Sequence, residues 1–446
     1  MMAADAEARS QFAHVEGPLP GPRSKELIDR WHKAEAQCTG FQAPVVWESA
    51  SGVRVIDVDG NRYLDWTSGV LVTNIGHCHP DLVNAVQQAS KKLLNNYECP
   101  TEARVVAAEK LVSILPSFLD KVFFLSTGSE ATEACVRIMK RKSGKFEILS
   151  FYGGFHGRTS AAASAGGLAG PKKGYGPTVP GSIRVPFPYC YRCPFGARPE
   201  SCGKLCLNFM EDAVKANSTG SLAGVIVEPY LGAAGFIFPP EGWLTELQSW
   251  LRSHDLLFTL DEVQSSFGRT GKVFAMEWEG LTPDLVSLGK GIGSGVPVSA
   301  VASRSDVIGV LASGELSSTN GGNPVASAAV IAVIGVMRRE KLAENALRMG
   351  EILKPRLLAL MEKSPYVGDV RGKGLVFGVE LVKDKKTKEP APELTKKLIH
   401  LAAESGLLIG SVGIFGNVIR VAPPLVINEL ELHETLDIFA RALAQL

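Results

Sequence analysis

The sequence predicts an α/β protein. A large domain has a mostly parallel sheet covered by helices on both faces, and a smaller α+β domain is assembled from the two ends of the chain. Three observations predict it. Six apolar runs between residues 122 and 304 read as buried strands separated by helix-length segments. Three of these runs carry a charged residue to their tips at similar intervals. Helix-periodic stretches with short strands follow from residue 336, and a hairpin pattern precedes the large unit.

In chain order, the first 24 residues, MMAADAEARSQFAHVEGPLPGPRS, contain acids and no apolar core. They read as a flexible leader, neither a signal peptide nor a transit peptide. VRVIDVDGNRYLDW alternates around an Asp59-Gly60 turn and predicts a β-hairpin. The strands of the large domain are VFFL (122–125), FEILSF (146–151), AGVIVEP (223–229), LLFTLDEV (256–263), DLVSLGK (284–290) and PVSAVASR (297–304). A helix opens at Asn323-Pro324, and REKLAENALRMGEILKPRLLALMEK continues with helical spacing. GKGLVFGVELVKD and NVIRVAPPLVI read as strands, with a last helix from about 428. The expected division is 1–70 for the leader and the N-terminal part of the small domain, 71–335 for the large domain and 336–446 for the rest of the small domain.

The totals agree with an ordinary globular protein. Of 446 residues, 45% are hydrophobic and 21% charged, and 47 basic against 46 acidic side chains leave a net charge of +1. Such a balance gives no electrostatic reason to bind nucleic acid or an anionic membrane. The longest strongly apolar run, Val325 to Met337, is too short to span a bilayer. A cytoplasmic location is expected.

The chemistry starts at the strand tips. Glu228, Asp261 and Lys290 end successive strands 33 and 29 residues apart. Each interval fits one strand–helix–strand unit, so the three groups should emerge at one carboxyl edge and share a pocket. Upstream, Ser126-Thr127-Gly128-Ser129 joins a strand to a helix, and the free N–H groups of such a start suit a phosphate, although a plain N-cap by Ser129 reads equally well. In FYGGFHGRTS, Gly153 and Gly154 let the chain turn after a strand, and Phe155, His156 and Arg158 follow. A lysine, a carboxylate and an anion-binding helix start fit pyridoxal phosphate. The amine would form a Schiff base with the aldehyde, the acid would keep the ring nitrogen protonated, and the turn would hold the phosphate.

LLFTLDEVQSSFGRTG, LVSLGKGIGSGVP, STGSEATEA, FHGRT, STNGGNP and GDVRGKG resemble the class III aminotransferases of the ornithine and 4-aminobutyrate type, in that family's order from about residue 40 onward. The resemblance implies a fold-type I pyridoxal-phosphate enzyme that moves an amino group between an amino acid and a 2-oxo acid such as 2-oxoglutarate or pyruvate. It implies Lys290 as Schiff-base lysine and proton carrier, Asp261 at the ring nitrogen, Val263 and Phe155 on the two ring faces, and Gln264 at the ring hydroxyl. Thr127, Gly128 and Ser129 would surround the phosphate, His156 and Glu228 would lie beside the cofactor, and Thr319 would come from the second subunit. A homodimer with shared active sites, or a tetramer, is therefore expected.

For the substrate, the resemblance makes Arg420 the α-carboxylate binder and Arg158 the binder of a second carboxylate, which favours a dicarboxylic partner. Family members that also handle ω-amines carry a glutamate five residues after the Glu228 position, where this chain has Ala233. Its absence weakens a 4-aminobutyrate transaminase and raises α-amino acid transamination, racemisation or decarboxylation. Dialkylglycine decarboxylases also lack it, but they carry a glutamine where this chain has Val70, which the resemblance places at the substrate, and a methionine at Arg158.

Cys190, Cys193, Cys202 and Cys206 follow the spacing C-x2-C-x8-C-x3-C. Such thiols can close a zinc or iron–sulfur site or remain as free thiols in a Pro-rich loop, and no metal is expected here. His77 and His79 in GHCHP are expected in turn and interface packing.

Overall fold

A computed structural model describes residues 10–446. The large domain is built on a seven-stranded sheet, in the order Lys121–Leu125, Ser299–Ser303, Leu285–Leu288, Leu257–Asp261, Leu222–Val227, Glu147–Phe151 and Ser182–Val185. Ser299–Ser303 runs antiparallel to both its neighbours, and the remaining pairs are parallel. The six predicted strands are present. Ser182–Val185 is additional, a short edge strand whose sequence SIRV has no continuous apolar run. In the central strands every side chain of Leu222–Val227 and Leu285–Leu288 is buried. Helices on both faces exclude water there, so these strands read as apolar runs and not as alternations.

The helix Gly128–Ser143 packs across four of these strands, and the helix Trp243–Ser253 packs on Leu257–Asp261. The helix Pro324–Arg339 lies on Pro80–Ser90 and Glu102–Val112. It continues through the predicted boundary at 335/336, with Val336 and Met337 buried.

The predicted hairpin forms from Arg54–Asp57 and Arg62–Asp65. With Trp47–Ser51 and Leu407–Leu408 it makes a four-stranded sheet that joins the two ends of the chain. A third sheet pairs Val367–Lys373, Val376–Leu381, Val418–Val421 and Gly410–Val412 in antiparallel fashion. Among the described residues, no helix is long and apolar enough to cross a membrane.

The flexible leader needs correction from Ser10 onward; residues 1–9 lie outside the described part. The carboxylate of Glu434 accepts the backbone N–H groups of Gln11, Phe12 and Ala13, and His14 exchanges both backbone hydrogen bonds with Arg62. Asp59 then accepts the N–H groups of Arg23 and Ser24 at the start of the helix Pro22–Ala34. The side-chain anchors, Glu434 and Asp59, are acids more than 30 residues away, so local composition could not reveal them.

Arg269 fastens the two domains. Its guanidinium is 0% exposed and donates to the carbonyls of Leu375 (3.0 Å) and Pro423 (2.6 Å), to Asn74 Oδ1 (2.7 Å) and to Ser68 Oγ (3.3 Å). All four acceptors are uncharged, and they come from both ends of the chain. Burial lowers its pKa to about 10, so it stays cationic at neutral pH.

Candidate active site

Adjacent parallel strands bring Glu228, Asp261 and Lys290 to one edge, because their registers keep the carboxyl ends level: Val227 lies opposite Leu260, and Asp261 opposite Ser287. A cavity of about 320 Å³ opens there. It is lined by Gly128, Ser129, Phe155, His156, Arg158, Glu228, Ala233, Asp261, Val263, Gln264 and Lys290, with Gly157.

Asp261 is 4% exposed. Its Oδ2 lies 2.7 Å from His156 Nδ1, and its Oδ1 accepts from Ser287 Oγ (3.0 Å) and Val263 N (3.1 Å). Burial alone would lower the His156 pKa, but the hydrogen bond and charge of Asp261, aided by Glu228, hold it above its ordinary value. Glu228 accepts Phe155 N at 2.8 Å and Gly232 N at 2.9 Å, so it fixes two cavity walls. Burial raises its carboxyl to about 7, with His156 opposing. Lys290 is partly buried and adopts φ 47°, a left-handed conformation that costs a non-glycine residue about 1–3 kcal/mol and is typically kept at functional sites. Burial pushes its amine below the usual lysine range, while Asp261 and Glu228 push the other way.

The remaining predicted residues divide. Thr127 is the N-cap of the helix Gly128–Ser143: its side chain accepts Glu130 N, and Glu130 reaches back to Thr127 N. That hydroxyl is a cap and does not line the cavity, so the predicted cap at Ser129 belongs to Thr127. Gly128 and Ser129 then occupy the first helical turn, whose N–H groups have no intrahelical acceptor. Ser129 Oγ accepts Arg158 N at 3.1 Å, and a Cβ on Gly157 would sit 2.3 Å from that oxygen, so only glycine fits there. Arg158 is exposed at the rim. Val70 is 48% exposed at φ 69° and lies outside the cavity. Thr319 is exposed and does not line the cavity of its own chain.

Arg420 is 6% exposed and is not among the residues lining the cavity; its Nε is buried without a hydrogen-bond partner, and among the described residues no ion pair with a carboxylate engages it. Burial lowers its pKa, opposed by the charge of Asp65. The cysteines Cys190, Cys193, Cys202 and Cys206 are free thiols around a separate cavity of about 80 Å³. Among the described residues, no group of three or more His, Cys, Asp or Glu side chains is placed to hold a metal ion. His77 Nε2 lies 2.8 Å from Asp65 Oδ2, and His79 Nδ1 caps the helix Pro80–Ser90.

Sequence reasoning gave no role to Glu262, the second acid of the pair. It is fully buried and accepts Ala275 N, Met276 N and Ser265 Oγ at 2.8–2.9 Å. Burial outweighs these bonds and raises its carboxyl from 4.5 to about 7. A raised acid contributes stability that is complete below the unfolded value and is lost as pH rises through the folded one. Between about pH 4 and about pH 7 the wild type should therefore lose on the order of 3 kcal/mol through this group. Glu262→Gln should show a correspondingly flatter pH dependence of unfolding free energy, measured by guanidinium melts. An unchanged slope would place the Glu262 titration elsewhere.

The strand-edge lysine, the buried acid and the open helix start share one cavity of a fold-type I transferase. The chain belongs to the class III aminotransferases: the family model "Aminotransferase class-III" matches residues 37–443. Enzymes of this family depend on pyridoxal phosphate. The chain is 37% identical over 434 residues to an alanine/serine racemase of Pyrococcus horikoshii, covering 95% of this chain and 91% of the relative. It is 38% identical over 436 residues to a 4-aminobutyrate aminotransferase of Mycobacterium leprae, covering 95% and 96%. The crystal structure of an (S)-enantioselective ω-transaminase from Thermomicrobium roseum superimposes with a TM-score of 0.88 at 31% identity, covering 96% and 99%.

Proposed function

We propose that the chain transfers amino groups between α-amino acids and a 2-oxo acid, with pyridoxal phosphate held in the 320 Å³ cavity. The residues present fit that group. Gln264 Oε1 is buried without a partner, as an acceptor waiting for a hydroxyl would be. Side chains are also excluded around Val263: a Cβ on Gly128 or Gly289 would come within 2.9 or 3.0 Å of its Cγ1, which leaves a flat slot. Gly128 and Ser129 would hold the phosphate, Phe155 and Val263 the ring faces, and Lys290 the aldehyde.

When bound, the cofactor supplies an electron sink for the pair left at the substrate α-carbon once its proton is removed. Everything else falls to the chain. Asp261 keeps a proton on the ring nitrogen, and His156 and Ser287 hold that carboxylate in place. Lys290, whose amine burial pushes below the usual lysine range, is the group placed to take the α-proton and return it.

The observation that carries the substrate reading is Arg420. A buried guanidinium whose Nε has no acceptor suits an anion, and Ala233, on the cavity wall, offers none. A substrate α-carboxylate meets that need, and Arg158 at the rim suits a second one, as in 2-oxoglutarate. A racemase is the second reading, favoured by the Pyrococcus relative, since returning the proton to the opposite face needs no further binding group. A homodimer in which Thr319 reaches the partner's cavity accounts for its exposure here.

A half-reaction screen tests this. Cofactor-loaded enzyme mixed singly with glutamate, alanine, ornithine, 2-aminoisobutyrate and 4-aminobutyrate should lose its visible absorbance band with glutamate, alanine or ornithine, and keep it with 4-aminobutyrate and with 2-aminoisobutyrate, which has no α-proton to give. Bleaching by 4-aminobutyrate alone would overturn the assignment. Loss of chirality from L-alanine without any 2-oxo acid would replace it by racemisation.

A further inference from the structure

A buried ionic cluster lies behind the cavity wall, outside the machinery described so far. Glu380, 0% exposed, accepts from Arg371 Nη1 (2.7 Å), from Arg192 Nε (2.6 Å) and from the hydroxyl of Tyr189. Arg371 Nη1 also meets Asp369 Oδ2 at 2.6 Å. The remaining face of Arg371 is turned to the wall: Nε and Nη2 both donate to the carbonyl of Gly235, at 2.9 and 2.6 Å. Gly235 closes the turn bounded by the paired backbones of Leu231 and Ile237, and Ala233 within it lines the cavity. On its other side, the Ala233 carbonyl accepts Gly413 N at 3.0 Å. Gly413 directly follows the strand Gly410–Val412, in which Gly410 pairs with Arg420.

We propose that Arg371 is a positioning residue: by holding the Gly235 carbonyl it sets the Ala233 turn against the Arg420 strand and so fixes the width of the slot for the substrate carboxylate. The inference rests on the proposed function. Each hydrogen-bonding nitrogen of Arg371 is already engaged, so the residue does not bind substrate itself. Two guanidiniums and two carboxylates balance in the cluster, which keeps the fork rigid. A planar bidentate donor fixes both the distance and the angle of a carbonyl, which an ammonium cannot do.

The test compares holoenzymes of the wild type, Arg371→Lys and Arg371→Gln. In the glutamate half-reaction, Arg371→Gln should need about tenfold more glutamate for half-saturation, with a maximal rate within about threefold, and Arg371→Lys should fall between. Capture of the lysine-held cofactor by methoxyamine, which has no carboxylate, should be unchanged in rate. Equal loss in both reactions would overturn the proposal. Amide exchange gives a readout independent of substrate: Arg371→Gln should exchange faster at Leu231, Ile237 and Gly413 and stay protected at Val379 and Ile419. Unchanged or uniformly faster exchange would sink it even if the wild type transaminates. Glutamate inert on the wild type, with exchange as expected, would refute the function and leave the positioning intact. If Arg371→Gln does not fold, Asp369→Asn, which removes a part-exposed anchor of Arg371, should shift the same readouts in the same direction.

Discussion

Lys290→Ala should leave an enzyme that folds and cannot turn over. In the proposed function the side chain both holds the cofactor and moves the proton, so its removal should lower the half-reaction rate by about 10⁴-fold or more, the upper range for one general base. Fold stability should change little, because alanine at φ 47° carries a backbone strain like that of lysine. Borohydride treatment followed by mass spectrometry separates the two roles: the wild type should gain the reduced cofactor covalently and the variant should not. A variant that still becomes labelled would mean that another amine holds the aldehyde.

Asp261→Asn should be nearly as damaging, for a different reason. The amide keeps the shape and can still accept from Ser287 Oγ and Val263 N, the bonds now made at 3.0 and 3.1 Å. It cannot offer a negative charge to a ring nitrogen in a site that is 4% exposed. A loss of about 10²–10³-fold in maximal rate is expected, the scale of removing one pre-organised charge stabiliser. His156 loses the partner that holds its pKa up, and burial then favours the neutral ring. The difference should appear in the pH profile: the wild-type limb assigned to His156 should move to lower pH. A variant with wild-type rate and profile would show that the ring nitrogen is not held by this acid.

The large sheet and its three charged tips were legible because parallel strands repeat at a nearly fixed chain interval and are apolar throughout. The partners of those tips were less so. His156 was placed near the cofactor, yet its bond to Asp261 crosses 105 residues, and no local pattern encodes which buried acid a histidine meets. The cluster around Glu380 was invisible for the same reason: Tyr189 and Arg192 lie 191 and 188 residues before it. Thr127 and Ser129 were confused because either hydroxyl can start a helix, and the choice was made by Glu130, which lies three residues after Thr127 as a capping box requires. Val70 was matched by motif position alone. Its left-handed backbone, shared with Ser68, Gly69 and Leu71, carries it to the surface.

Arg269 has a mechanical corollary. One cation riveted to Ser68, Asn74, Leu375 and Pro423 gives the two lobes a shared pin, so any breathing between them that keeps these bonds has to pivot there and not slide.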